Sequence, residues 1–306
     1  MARRSSAPSV AVVGSLNVDL IASVQQLPAP GETVAASKLR KLFGGKGANQ
    51  AIAASRHGAL VRMIGCVGGD ADGAAYIDRM KAFGIETSGI ATHRQSLTGT
   101  ALIGVSATGE NLIMVAAEAN NRLSPTWIRR QSEQITSAVA LLLQWEVPMT
   151  CVLASIKLAN KAGIPVIMNP SPLGQVFPWG SVIVDHLIVN EGEALSLFRL
   201  DPERLSTQIN RWRKAMTKLR IGTLIVTRGS DSTLALNAKE LIEVPALPVI
   251  PVDTVGAGDC FAGTFAASLA EGHALEAAIK AANQAAARST LKPGAQPEPK
   301  RQGSKR

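Results

Sequence analysis

An α/β protein with a mostly parallel sheet, covered by helices on both faces, is the architecture this sequence predicts. Three observations predict it. Short apolar runs alternate with helical stretches along most of the 306 residues, the pattern of repeated strand–helix units. The chain is 46% hydrophobic but only 4% aromatic, so Ala, Val, Leu and Ile must build the core, and 27 glycines suit tight strand–helix turns. Polar residues recur where the apolar runs stop, and that edge is where open sheets of this class bind ligands.

Taken in order, residues 1–9 read as a disordered basic tail. An apolar strand at 10–14 ends in Gly14. Leu16, Val18 and Leu20 then alternate with Asn17 and Asp19, until Pro28, Pro30 and Gly31 break the pattern. A glycine-rich segment, Gly44 to Asn49, precedes an Ala-rich helix at 50–57. A strand at 61–67 and a helix at 71–83 follow. Residues 98–106 and 110–115, joined around Thr108-Gly109, read as a hairpin. Ser124 before Pro125 is an N-cap candidate. Strands are expected at 138–143, 165–168, 186–189 and 223–227, and helices at 149–161, 191–200 and 203–219. Residues 232–237 and 240–244 form a second hairpin. The apolar run 247–252 reads as a last strand leading into Asp253, and helices at 258–271 and 275–291 close the body. Residues 298–306 form a second basic tail, leaving 10–297 as one domain.

The formal net charge of +9 does not signal nucleic-acid binding. Five of those charges sit in the two tails, and the body carries no basic stripe interleaved with aromatics. No apolar run approaches the roughly 18 residues of a membrane span. Cys66, Cys151 and Cys260 are far apart and show neither metal-ligand spacing nor a disulfide framework, so a reducing cytoplasm is expected.

The chemistry gathers at the strand ends: Asn17 and Asp19, Glu146, Asn169, Asn190, Thr227 and Asp253. Asn17 and Asp19 on one strand face can take adjacent hydroxyls, or simply face solvent. The glycines of 44–49 let backbone approach a ligand, with Lys46 and Asn49 reaching polar atoms, although a tight turn would use the same residues. The spacing is not that of a Walker loop. Asn190 and Glu193 share one helical face, fit either for a nucleotide phosphate with hydrated Mg²⁺ or for an N-cap. Gly256-Ala257-Gly258 opens a helix and so offers backbone N–H groups to an anion. Asp259 would repel that anion, unless a hydroxyl must be deprotonated where a phosphoryl group arrives.

These stretches, N-V-D at 17–19, G-G-K-G-A-N-Q at 44–50, N-E-G-E at 190–193, T-R-G-S at 227–230, D-T-V-G-A-G-D at 253–259 and G-A-Q-P at 294–297, resemble the ribokinase-like (PfkB) sugar kinases in order and separation. The resemblance implies a three-layer α/β/α sandwich with a small β-sheet lid from about 17–42 and 96–115, pairing in a homodimer. It implies that Asn17, Asp19, Gly45, Lys46, Asn49, Glu146 and Asp259 bind the sugar. Asn190, the loop Thr227, Arg228, Gly229, Ser230, Asp231 and Ser232, together with Gly258 and Asn283, would contact ATP. Gly256, Ala257 and Gly258 would form the anion hole and Asp259 would accept the proton. Asp253, Val255, Ser289, Lys292, Gly294 and Glu298 would hold K⁺, and Glu193 would reach Mg²⁺ through water. Two positions depart from the family pattern, which has Gly where Ser232 and Glu118 stand.

The expected activity is ATP-dependent phosphorylation of the primary O-5 hydroxyl of D-ribose. Another sugar of the same family (deoxyribose, a ketose, a ketodeoxy sugar acid) or a nucleoside is the alternative. From another class, the alternative is a non-catalytic sugar sensor.

Overall fold

A computed structural model describes residues 8–299. Its main sheet has nine strands in the order β13-β12-β11-β10-β9-β8-β1-β4-β5. These are β1 (Ser9–Val13), β4 (Leu60–Gly68), β5 (Ile90–His93), β8 (Ala140–Leu143), β9 (Val166–Met168), β10 (Val184–Asn190), β11 (Ile221–Thr227), β12 (Thr233–Leu236) and β13 (Leu241–Val244). Pairing is parallel from β5 across to β11 and antiparallel for the β12–β13 hairpin. The central strands are buried on both faces, as the unbroken apolar reading of such strands requires. Val10, Val12 and Leu142 point to one core, and Ala11, Val13, Leu141 and Leu143 to the other.

The first core is closed by α1 (Lys46–Arg56), α2 (Ala71–Ala82), α8 (Ala257–Ala270) and α9 (Leu275–Ser289). The second is closed by α3 (Pro125–Arg130), α4 (Ser132–Thr136), α5 (Met149–Ala162), α6 (Glu191–Phe198) and α7 (Ile209–Leu219). Ser124 caps α3, its Oγ accepting from the N–H of Trp127 at 3.2 Å. Among the described residues no helix is long and apolar enough to cross a membrane.

A second sheet of four strands, ordered β3-β2-β6-β7, stands apart from the first. It consists of β2 (Asn17–Val24), β3 (Ala36–Gly44), β6 (Gly99–Val105) and β7 (Asn111–Ala116). Ile113, Met114 and Val115 of its edge strand are all more than half exposed.

Several expectations need correction. Residues 247–252 form no strand, because Pro245, Pro248 and Pro251 remove ladder donors along that run. Residues 203–219 are not one helix. A 3₁₀ turn at Pro202–Arg204 ends where Leu205 turns into the core, and the helix restarts at Ile209. Ser206 and Thr207, weak helix formers, occupy the gap. Strands β3 and β5 carried no period-2 apolar signal. β3 is an edge strand studded with Lys38, Arg40 and Lys41, a composition that discourages further pairing. Ser9, assigned to the N-terminal tail, is buried in β1. The rest of that tail and residues 300–306 lie outside the described residues.

Candidate active site

Asp259 stands at the third position of α8 and is buried. Its Oδ2 accepts from Asn49 Nδ2 and its Oδ1 from Gln50 Nε2, each at 2.9 Å. Helix α8 starts on Gly256 in the left-handed region, φ 79°. A side chain there would be strained, and its Cβ would come 2.5 Å from the Cβ of Ala295. The first-turn N–H groups divide. Ala257 donates to the carbonyl of Thr254 at 3.2 Å, which removes it from the expected anion hole. Among the described residues the N–H groups of Gly256, Gly258 and Asp259 have no hydrogen-bond acceptor. A Cβ on Gly258 would meet nothing within 4 Å. These donors border a cavity of about 160 Å³ that Lys46, Asn169, Asn190, Glu193 and Thr227 also line.

On the other side of the carboxylate, β2 presents Asn17 and Asp19. Asn17 is buried, and its Oδ1 accepts from Asn120 Nδ2 at 2.7 Å. Asn120 itself is fixed by the backbone of Leu16. Two residues before it, Glu118 is held at φ 44°, a conformation that glycine adopts without strain. The family glycine at this position therefore has a backbone reason. Asp19 borders a cavity of about 470 Å³ under the four-stranded sheet, shared with Phe43, Ile113, Asp253 and Gly294. Its pKa is raised to about 6, first by burial and then by the neighbouring charges of Glu146 and Asp259.

Glu146 does not simply face a ligand. Its Oε2 accepts from Ser15 Oγ at 2.5 Å and from the N–H of Lys46 at 2.9 Å, so it caps α1. Gly45, at φ 88°, lies so close to β2 that a Cβ would be 2.7 Å from the nitrogen of Asn17. Gly45 and Gly47 therefore press on the protein's own backbone, whereas Gly44 lies against the carboxylate of Asp19.

Of the residues assigned to the nucleotide, Asn190 and Glu193 form a reciprocal capping box on α6. Thr227 ends β11. Arg228 reaches across its loop to the carbonyl of Ser232 at 2.8 Å and to Glu243 at 2.9 Å, with Ser232 Oγ bonded to both side chains. Gly229, Ser230 and Asp231 form the turn between them. Asn283 does not line either cavity. Its oxygen accepts from Thr233 Oγ1 at 2.8 Å and its amide donates to the carbonyls of Val244 and Pro245.

The residues assigned to K⁺ are brought together in part. Asp253 accepts from the N–H of Val255 at 2.9 Å and of Gly294 at 2.8 Å, joining the loop before α8 to the segment after α9. Ser289 ends α9. Lys292 is exposed in the turn that follows. Glu298 is exposed and its carboxylate lies 3.6 Å from Arg79.

Sequence reasoning missed Gln50, Gln144, Asn120 and Gln296 as parts of this centre. Gln144 carried a usable signal, an amide at the end of the apolar run Leu141-Leu142-Leu143. Gln50 and Gln296 sit inside the two motifs G-G-K-G-A-N-Q and G-A-Q-P, where nothing local sets them apart from the surrounding residues.

Fold and site together define a class: an α/β sandwich in which a carboxylate stands beside unpaired N–H groups at a helix start, beneath a small sheet. The chain belongs to the pfkB family of carbohydrate kinases, whose family model matches residues 7–301. It is 37% identical over 291 residues to a ribokinase of Bacillus subtilis, with 94% of each chain covered. It is 34% identical over 288 residues to a deoxyribokinase of Salmonella typhimurium, again with 94% of each covered. A ribokinase of Arabidopsis thaliana solved with ribose and ATP aligns with a TM-score of 0.87 at 28% identity, covering 96% of this chain and 97% of that one.

Proposed function

We propose that this protein transfers the γ-phosphoryl group of ATP to the primary O-5 hydroxyl of D-ribose. The observation that carries the reading is Asp259, a buried carboxylate held by two amides at a helix start where, among the described residues, the N–H groups of Gly256 and Gly258 have no acceptor. A structural carboxylate would have capped those groups. Here it is turned away from them, leaving an anion site on one side and a hydroxyl acceptor on the other. Ribose is the sugar on which the named ribokinase relatives act, so it is the first candidate.

Phosphoryl transfer passes through a loose transition state, so positioning and charge neutralisation supply most of the catalysis. The N–H groups of Gly256 and Gly258 stabilise charge on the transferring phosphoryl. Lys46, on the wall of the same cavity, adds positive charge. Asn17 and Asp19 hold sugar hydroxyls, with Gly45, Asn49 and Glu146 forming the neighbouring wall. Asp259 orients the primary hydroxyl and takes its proton late, as the oxygen loses electron density; a positioned base is worth roughly 10²–10⁴-fold. Asn190 and the 227–232 loop border the nucleotide. Asn283 contributes by holding the β12–β13 hairpin.

Mg²⁺ of a nucleotide needs only one or two protein carboxylates beside the phosphates and water, and Glu193 on the cavity wall fits that need. The loop tied together by Asp253, Val255 and Gly294 fits K⁺, which backbone carbonyls can coordinate in place of water. Bound there, the cation would add positive charge beside the start of α8. We place the protein in the cytoplasm, where its three free thiols remain reduced, and as a homodimer joined through the exposed apolar edge strand β7 of the four-stranded sheet.

An ATP-coupled assay over ribose, deoxyribose, ketoses, ketodeoxy sugar acids and nucleosides, with and without K⁺, tests the reading. Ribose should give the highest kcat/KM and K⁺ should raise it. A higher value with deoxyribose moves the assignment to that sugar, and turnover with none of the panel leaves a sugar-binding protein without catalysis.

A further inference from the structure

We propose that Gln50, Gln144 and Gln296 are positioning residues for Asp259, acting through two carboxamide relays that fix both oxygens of its carboxylate. The proposal rests on the reading of Asp259 as proton acceptor.

In the first relay Gln144 Nε2 donates to Gln50 Oε1 at 2.6 Å, and Gln50 Nε2 donates to Asp259 Oδ1 at 2.9 Å. In the second, Gln296 Nε2 donates to Asn49 Oδ1 at 2.8 Å, and Asn49 Nδ2 donates to Asp259 Oδ2 at 2.9 Å. The direction of each relay follows from chemistry. An ionised carboxylate only accepts, so both neighbours must turn their amide nitrogens toward it. Each then presents an oxygen on its far side, which needs a donor. Gln144 and Gln296 are those donors.

The outer residues are anchored in turn. Gln144 lies against Gly14, where any Cβ would fall 2.0 Å from Gln144 Oε1. That oxygen is buried and has no partner among the described residues. An orphaned buried acceptor costs free energy, which packing alone does not account for, and the amide nitrogen of the same side chain is the group that sets Gln50. Gln296 is held by Arg79, which donates to Gln296 Oε1 at 3.0 Å and to the carbonyl of Pro297 at 2.8 Å. Gln296 also donates to Tyr76 Oη at 2.8 Å, and Tyr76 donates to the carbonyl of Gly44. The segment after α9 is thereby latched to α2 and to the carboxylate at the same time.

A carboxylate locked at both oxygens keeps its remaining lone pairs aimed into the cavity. Misplacing a reacting group by about 1 Å can cost on the order of 10²-fold in rate. Loosening a relay should therefore lower kcat and leave sugar binding nearly alone.

The test measures kcat and sugar KM for Gln50→Met and Gln296→Met, each made in the wild type and in Asp259→Asn, with thermal melting to verify folding. Gln50→Met should lower kcat about 10- to 100-fold, and Gln296→Met by a smaller factor, with KM changed less than threefold. Neither should lower kcat further in the Asp259→Asn background, because residues acting through one group are not additive. Folded variants whose kcat stays within twofold of wild type, or whose losses multiply with that of Asp259→Asn, overturn the relay. Should Gln50→Met fail to fold, Gln296→Met decides alone, since its residue is only half-buried. A wild type inactive on every sugar, or an Asp259→Asn as active as the wild type, overturns the base reading and the relay with it. An active wild type, a crippled Asp259→Asn and indifferent glutamine variants sink the relay alone.

Discussion

Helix α1 opens on Gly44-Gly45-Lys46-Gly47 and helix α8 on Gly256-Ala257-Gly258, and the two pack against each other under the site, so closely that a Cβ on Gly263 would be 2.2 Å from the carbonyl of Gln50. By sequence either start could bring its backbone against a ligand. At α1 the first N–H groups are already taken: Lys46 donates to Glu146, Gly47 to Ser15 Oγ at 3.3 Å, and Ala48 to the carbonyl of Ser15 at 3.0 Å. At α8, among the described residues, only Ala257 is taken. The same contrast holds for the glycines. A Cβ on Gly47 would lie 2.5 Å from backbone atoms of Gly14 and Ser15, whereas one on Gly258 would meet open space. Both starts carry the positive end of a helix dipole, but one has been closed by the protein's own carboxylate and the other kept open. Glycine richness alone marks close approach. What approaches, chain or ligand, is decided by which N–H groups remain unpaired.

The largest test of the open start is its carboxylate. Asp259→Asn should lower kcat by at least about 10²-fold, the contribution of a positioned base, with sugar KM changed much less. Near-normal turnover would remove Asp259 from the chemistry. Gly258→Ala is next, with an expected loss of about 10- to 100-fold in kcat, comparable to removing one oxyanion donor at the upper end. Its added methyl enters the cavity, so melting should stay near that of the wild type. Gly47→Ala should do the reverse, because its methyl meets backbone that cannot move aside. Overpacking of this kind costs about 1–3 kcal/mol, read as a lowered melting temperature and denaturant midpoint. If Gly258→Ala unfolds the protein while Gly47→Ala blocks turnover in a well-folded one, the assignment of the two starts is reversed.

The strand–helix alternation, the two hairpins and the glycine motifs were legible because each rests on local rules of period, turn chemistry and helix start. What stayed hidden depends on partners distant in the chain. Nothing local shows that Glu146 closes a helix 100 residues earlier, or that Asn283 is spent on a hairpin. Gln50, read as the first residue of a helix, is buried against Asp259, more than 200 positions away. The run 247–252 differs for another reason: its apolar residues match a strand, but Pro248 and Pro251 within it forbid one. Ile250 is in fact 89% exposed. The site chemistry was therefore readable as a set of residue types, while the division of labour among them required the fold.

The smallest expected effect concerns how the closed start still acts on the sugar side. Glu146 caps α1 with one oxygen, yet its charge is the second cause, after burial, of the rise of Asp19 to about 6. An acid raised in the folded state favours its protonated form there. Asp19 thus contributes stability at pH below about 4 that is lost as pH rises through about 6. The ionised form is the better acceptor for two sugar hydroxyls, so binding should follow the opposite course. Sugar KM should rise as pH falls through about 6, by up to about tenfold at pH 5, where roughly one Asp19 in ten is ionised. In Glu146→Gln the midpoint should move down but not return to an ordinary carboxylate value, because burial remains. Asp19→Asn should lose this pH step altogether, with weaker binding throughout. A KM profile in Glu146→Gln that superimposes on the wild type would show that the capping charge is screened from Asp19, and that the closed start of α1 is purely structural.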